Sequence, residues 1–445
     1  MQRLRVSDDG RFLATQDGEP FFWLGDTAWE IFHRLTREEA MLYLETRKRQ
    51  GFNVIQAVAL AELEGLTAPN RYGQLPFLDQ DPHRPDEEGG YWEYVEQIVG
   101  LAEGLGLYVA LLPTWGDKIK KEWGVGPEIF DEARAEAYGR WIGQRLGHRE
   151  NIVWVNGGDR DAGGVEHIFD ALGRGIRAGE PWRHLMTHHP NGGHSSSEWF
   201  HRADWLDFNM MQSGHWIHDI RSDLMIEKDY ALDPVKPVLD GEPNYENHPP
   251  FKDFSLRHMT ASDVRQSCYW SVFAGGCGVT YGCNAVWQFA SERAPLLNGA
   301  VGYWIDSLEL PGANQIRFLK HLMLQRPYFD RIPDQTLISL VDEQLPIRAT
   351  RDRAGTYLFA YLPRGGSVTV HADRLPAKEL EGWWYDPRTG ECLNIGRLQP
   401  RTMTLEAPGF AGFGRDWVLV LDDVAAGFEP PGLVVNEEAI AEAVS

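Results

Sequence analysis

FFWLGDTAWE, residues 21–30, opens with an almost wholly apolar run, Phe21 to Asp26. A half-exposed strand alternates apolar and polar side chains. An unbroken apolar run instead suits a strand covered on both faces, as in a parallel sheet. The residues just after the strand decide between two parallel architectures. An open doubly wound sheet would place a glycine-rich phosphate loop here, and WLGDTAWE has none.

From this run outward the chain keeps one rhythm. A helix is predicted over 36–50, opened by Thr36 with Glu39 three residues on, the pattern of a capping box. Strand-like runs at 53–58, 108–113, 151–156, 185–189, 206–210, 236–239 and 278–282 alternate with helical stretches at 91–105, 131–147, 163–178, 219–231, 260–274 and 312–325. Eight strand–helix units predict an α/β fold, a (β/α)8 TIM barrel over 21–330. Ahead of it, apolar runs flanking SDDGR predict a β-hairpin over 1–20. After Arg326-Pro327 the rhythm changes. Short runs at 336–341, 355–362, 367–371, 381–385 and 417–421, with the turn DPRTG at 386–390, predict an antiparallel β-sandwich over 334–423. Residues 424–445 read as a tail, mobile or docked as a short helix.

Composition narrows the function. The chain of 445 residues carries a formal charge of −22, which disfavours nucleic acid and suits a neutral ligand. No run of about 18 apolar residues is present, so no membrane span is expected. MQRLRVSDDG lacks the apolar core of a signal peptide, so the expected location is cytoplasmic. Cys268, Cys277, Cys283 and Cys392 do not fall at zinc spacing and read as buried free thiols. The 17 Trp suit sugar binding, since a flat indole matches the C–H face of a sugar ring; a large core also holds many Trp.

Barrel sites gather at the C-terminal ends of the strands. Those ends offer Asp26 and Trp29, then Gln56 with Glu62 and Glu64 further on, Trp115 and Asp117, Asn156 and Asp159, His188, His189 and Asn191, Gln212 and His215, Asp240, Glu242 and Asn244, and Tyr281, Asn284 and Trp287. No serine with a positioned base and no phosphate loop stands among them. Hydrolysis of a glycosidic bond needs two carboxyl groups facing across one bond. Asp159 and Glu242 close the fourth and seventh strands, on roughly opposite walls, so Glu242 is read as nucleophile and Asp159 as general acid/base. Structural alternatives stand beside them: Asp159 as a surface ion pair or helix cap, Glu242 as a loop carboxylate on backbone amides, Asp26 as a cap for the first helix. Strand alternation would turn Asp240 inward with Glu242. Asp26, Trp29, Gln56, Trp115, Asn156, His188, His189, Gln212, His215, Asp240, Tyr281 and Trp287 are the expected sugar contacts. His188-His189 and His215-x-x-His218 invite a metal, but a metal-dependent amidohydrolase would show His-x-His on the first strand; no metal or cofactor is expected. A non-catalytic carbohydrate-binding barrel and a metal-dependent hydrolase remain as alternatives.

LGDTAWEIFHRLTREEAMLYLETRKRQGFNVIQ, VWVNGGD and PVLDGEPNYE, in that order, resemble the apiosidase-like glycoside hydrolases, family 140 and its relatives. GWWYDPRTGE resembles the small β domain that accompanies them and carries a collagen-binding label. The resemblance implies a barrel with a β-sandwich, and release of apiose, a branched pentose, from a plant pectic side chain by a retaining route. It places the acid/base on Asp159 of NGGD and the nucleophile on Glu242 of DGEP. Nothing in the acidic C-terminal stretch matches the collagen label, and it reads as a stabilising domain.

Overall fold

The structure, a computed structural model, describes residues 1–251, 253–339 and 342–435. Its centre is a barrel of eight parallel strands: β1 Trp23–Thr27, β2 Val54–Val58, β3 Tyr108–Leu112, β4 Ile152–Gly157, β5 Met186–His189, β6 Asn209–Gln212, β7 Val238–Asp240 and β8 Gly278–Tyr281. β1 pairs with β2 on one side and β8 on the other, with Tyr281 opposite Asp26, so the sheet wraps round and β1 has no free edge. The short strand His194–Ser195 joins β6 antiparallel as a ninth member. Between β5 and β6 no ladder forms. Asp207 N donates to Met186 O (2.8 Å) and Thr187 Oγ1 to Phe208 O (2.6 Å), and these two bonds hold the seam.

The local sequence explains these elements. Helix α1, Arg37–Arg49, starts at Thr36, whose amide donates to Glu39 Oε2 (2.7 Å) while Glu39 N donates to Thr36 Oγ1 (3.3 Å). This is the predicted reciprocal cap. Inside the barrel the Trp23 indole donates to Thr280 Oγ1 at 3.0 Å. Gly25 of the opening motif makes room for both: a Cβ there would lie 2.6 Å from Trp23 Nε1 and 2.7 Å from Thr280 Oγ1. β6 begins at Asn209, three residues later than 206 as read from the sequence. Asp207 is the reason, because its carboxylate binds Met186 N (2.8 Å), Arg177 (2.7 Å) and Arg183 (2.6 Å) and holds the entry as a turn.

Three short strands at Leu4–Val6, Leu13–Thr15 and Pro20–Phe21 precede the barrel as an antiparallel sheet. After it comes a seven-stranded sheet, in spatial order Arg331–Pro333, Arg348–Asp352, Tyr357–Leu362, Trp417–Asp423, Leu380–Tyr385, Glu391–Leu398 and Leu433–Val434, and a two-stranded sheet of Ser367–His371 with Thr402–Glu406. The strand expected over 336–341 is instead a 3-10 turn, Gln335–Leu337. Asp334 Oδ1 captures Thr336 N (3.1 Å) and Oγ1 (2.6 Å), a local bond that competes with strand pairing; residues 340 and 341 lie outside the described residues. So do 436–445 of the predicted tail, whose earlier part holds a short turn, Val424–Ala426, and the Leu433–Val434 strand.

Helix α2, Ala261–Phe273, joins the barrel to this second unit. Its Tyr269 stacks on Tyr361 with centroids 4.7 Å apart, and its Trp270 donates to Pro346 O at 3.0 Å. Arg265 meets Asp416 through Nη2 (2.6 Å) and Nε (2.9 Å), both groups buried. Breaking a buried pair leaves an uncompensated charge, which costs about 3–5 kcal/mol. Arg265→Ala is therefore expected to lower stability by about that amount, read as a shift of the urea midpoint. A midpoint within error of the parent would mean the pair contributes nothing.

Candidate active site

The C-terminal end of β4 reads Asn156-Gly157-Gly158-Asp159, and three successive residues there have positive φ: Gly157 at 96°, Gly158 at 116° and Asp159 at 56°. Only glycine fits the first two. A Cβ on Gly157 would lie 2.1 Å from His189 O, and one on Gly158 2.6 Å from Gly116 N. The turn is fixed on both sides, since Gly158 N donates to His189 O (2.9 Å) and Gly158 O accepts from Gly116 N (3.1 Å). It carries Asp159 in a left-handed conformation that non-glycine residues adopt infrequently. The Asp159 carboxyl has no hydrogen bond among the described residues; the nearest cation is Arg160 Nη1, at 3.9 Å, which donates to Asp159 O at 2.7 Å.

Across the mouth, β7 ends at Asp240 and Gly241 turns the chain. Gly241 N donates to Met211 O (2.8 Å) and Gly241 O accepts from Gln56 Nε2 (3.0 Å). Glu242 then stands buried, with three side chains on its carboxylate. Gln212 Nε2 donates to Oε1 (2.6 Å), His215 Nε2 meets Oε1 (3.1 Å), and His189 Nε2 lies 3.2 Å from Oε2. The other nitrogen of His215 faces Pro243 O at 3.1 Å, and its ring packs on Tyr245 with centroids 4.2 Å apart. His189 also touches Trp29 and Trp115, centroids 5.3 and 5.9 Å away; these indoles lie 5.2 Å from each other.

Electrostatics separates the two carboxyl groups. Burial works against the Glu242 carboxylate, but the two histidine rings at its oxygens outweigh it and hold its pKa well below the usual range. Asp159 is pushed up to about 6, first by burial and then by the negative charge of Glu242, with His189 and Arg160 acting the other way. Glu62, in the loop after β2, is pushed up to about 8 by burial and by the charge of Asp159. One carboxylate that stays ionised beside one that holds its proton is the pairing acid–base chemistry requires.

Of the expected contacts, Trp29, Trp115, His189, Gln212 and His215 gather round Glu242. Several others do not face the mouth. Asp26 is fully buried toward α1, where Arg47 Nε meets its Oδ2 at 2.6 Å and Tyr43 also bonds it. Asp240 lies against α2, accepting from Ser271 Oγ (3.0 Å) and Ser213 Oγ (2.8 Å); the turn at Gly241 breaks the alternation that would have paired it with Glu242. Asn156 donates outward to Phe169 O at 3.3 Å. His188 points away from its neighbour His189, as strand alternation requires. It packs between Phe169 and Phe200, and burial pushes its pKa down to about 3. Tyr281 donates to Glu246 Oε2 at 2.7 Å, and Gln56 is held between Gly241 O and Thr280 Oγ1 (3.2 Å). Trp287 comes after β8 in a short helix, its indole N–H on Asn284 Oδ1 at 3.2 Å. His218 bonds Arg257 O at 2.9 Å and stays apart from His215's carboxylate. Among the described residues no cluster of three His, Cys, Asp or Glu is set to hold a metal. Tyr245 and Arg160 were not singled out from sequence; Tyr245 lies three residues past Glu242 and Arg160 directly after Asp159, and sequence proximity was their one signal.

The family profile described as "Apiosidase-like, catalytic domain" matches residues 7–330, and one labelled as a collagen-binding domain of a collagenase matches 332–422. A solved glycoside hydrolase family 5 protein from Bacteroides vulgatus ATCC 8482 is 33% identical, with 99% of this chain and 97% of that chain covered and a TM-score of 0.90. A second solved structure, named as a glycoside hydrolase, is 34% identical over 95% of this chain and 97% of that chain, with a TM-score of 0.89. No curated protein matches.

Because Glu242 raises the pKa of Asp159, replacing it with a neutral isostere should undo part of the shift. In Glu242→Gln the Asp159 carboxyl is expected to titrate below its value of about 6 in the parent, followed by 13C NMR of labelled aspartate. An unmoved titration would show that the two groups do not share a field.

Proposed function

Since this chain belongs to the apiosidase-like family of glycoside hydrolases, we propose that it releases a terminal sugar, apiose or a related pentose or hexose, from an oligosaccharide or plant glycoside by a retaining route. The observation that carries this reading is a pair of carboxyl groups in one barrel mouth, Glu242 held by Gln212, His215 and His189 and Asp159 set on the glycine turn after β4. In the first step Asp159 gives its proton to the leaving oxygen while Glu242 attacks the anomeric carbon. The glycosidic C–O bond breaks and a glycosyl ester forms on Glu242. In the second step Asp159, now ionised, takes a proton from water as that water attacks the same carbon. The ester breaks, the sugar leaves, and both carboxyl groups return to their starting states.

The surroundings fit these roles. Gln212 and His215 on Oε1 fix the carboxylate in one orientation, with His189 at Oε2. Trp29 and Trp115, both buried, pack on each other and on His189 and make the wall beside it apolar. An exo mode accords with release of single terminal residues by the family.

Loss of either carboxyl tests the assignment. Asp159→Ala is expected to lower kcat on a natural glycoside by about 10²–10⁴, and Glu242→Ala to remove turnover, with both variants folded by circular dichroism. Azide should restore turnover of an activated aryl glycoside in Asp159→Ala and give a glycosyl azide of retained configuration. Full activity in Glu242→Ala would refute the nucleophile.

The pH profile gives an independent check. A raised pKa means Asp159 keeps its proton, and so its acid role, until pH about 6; Glu242 is ionised throughout. kcat/KM should fall about tenfold per unit above that point, and the limb should vanish in Asp159→Asn.

A further inference from the structure

Trp123 is 64% exposed, an unusual place for the largest apolar side chain. The turn that carries it is held at several points. Lys120 Nζ donates to Asp161 O (3.0 Å) and Gly163 O (3.2 Å), Lys121 N to Glu128 Oε1 (2.7 Å), and Gly124 N to Lys121 O (2.7 Å). Glu122 bends the chain with φ at 44°. Beneath the indole lies the guanidinium of Arg160, its Cζ 4.2 Å from the ring centroid, in a residue that is fully buried. Arg160 Nε also donates to Lys121 O at 3.3 Å, which ties the turn to the arginine. The same guanidinium donates to Asp159 O and stands 3.9 Å from its carboxylate. One face of Trp123 is therefore fixed against the neighbour of Asp159, and the exposed surface lies on the other face and edge.

The group that protonates a leaving oxygen stands on the leaving-group side of the bond. An aromatic face anchored beside that group, on Arg160, marks where the departing part of the substrate lies. We propose that Trp123 is the platform for the leaving group, and that this group is itself a sugar ring whose C–H face stacks on the indole. The assignment rests on the glycosidase reading and narrows it: the substrate is an oligosaccharide chain in preference to a glycoside with a small aglycone. A ring already ordered by Arg160 loses little freedom when the sugar arrives, which favours binding.

The test compares two substrates that deliver the same sugar. One is a pectic oligosaccharide, whose leaving group is a sugar; the other is the corresponding methyl glycoside, whose leaving group needs the same proton from Asp159 but has no ring to stack. In Trp123→Ala the ratio of kcat/KM, oligosaccharide over methyl glycoside, is expected to fall about tenfold, the scale of a lost aromatic stack with its buried area. Trp123→Phe should recover part of the ratio. Equal losses on both substrates would show that Trp123 only shelters Arg160 and Asp159, and an unchanged ratio with unchanged rates would show that nothing rests on it; either overturns the proposal. If the wild-type enzyme turns over neither substrate, the glycosidase reading fails. Trp123 is then judged by calorimetric titration with the same oligosaccharide, where equal affinity of wild type and Trp123→Ala rejects the platform and a weaker variant retains it.

Discussion

A carboxylate removed from water must be compensated where it stands, and at Glu242 the compensation comes from three different loops and strands. His189 closes β5, Gln212 closes β6, and His215 stands in the loop beyond. These are the strands on either side of the seam where the barrel lacks a ladder. The cluster on Glu242 thus gathers the rim at the place where backbone pairing does not. The same charge acts on Asp159 across the mouth. One compensated anion therefore fixes local geometry and adds to burial in raising the proton affinity of its counterpart.

The barrel was legible because its strands are covered on both faces and its helices announce their starts. FFWLGD and the Thr36–Glu39 box needed no tertiary information to read. Sequence also placed Asp159 and Glu242 at strand ends, and the NGGD turn explains why: two glycines are the residues that can approach His189 O and Gly116 N so closely. The direction in which each strand-end side chain points was not legible. In a strand apolar on both faces no polarity pattern distinguishes inside from outside, so Asp26, Asn156, His188 and Tyr281 read as mouth residues and proved to face the helices. Asp240 was misplaced for a different reason, a turn after a three-residue strand that ends the alternation. Gln56 did point inward, but both ends of its amide are occupied by the protein.

The second unit was harder to read strand by strand. Its runs are short, and turn-forming side chains such as Asp334 decide where pairing begins. Its attachment depends on partners far apart in the chain. Arg331 donates to Val272 O (2.6 Å) and Gly276 O (2.6 Å), Arg326 Nη2 meets Asp422 Oδ2 (2.7 Å), and Tyr385 OH donates to Phe318 O (3.0 Å). None of these pairs carries a local signal.

The apolar interior does not stop where the barrel ends. Tyr357, Phe359, Tyr361, Val418 and Val420 of the seven-stranded sheet belong to the same buried cluster as Tyr269, Trp270 and Phe273 of α2. A cut after residue 330 would bare one side of the helix that leads into β8, and with it the backing of the strand next to β1. The C-terminal unit is thus less a detachable passenger than the missing flank of the barrel. Swapping it for an unrelated sheet, as one exchanges appendages on a tether, would require a new partner for every one of those rings.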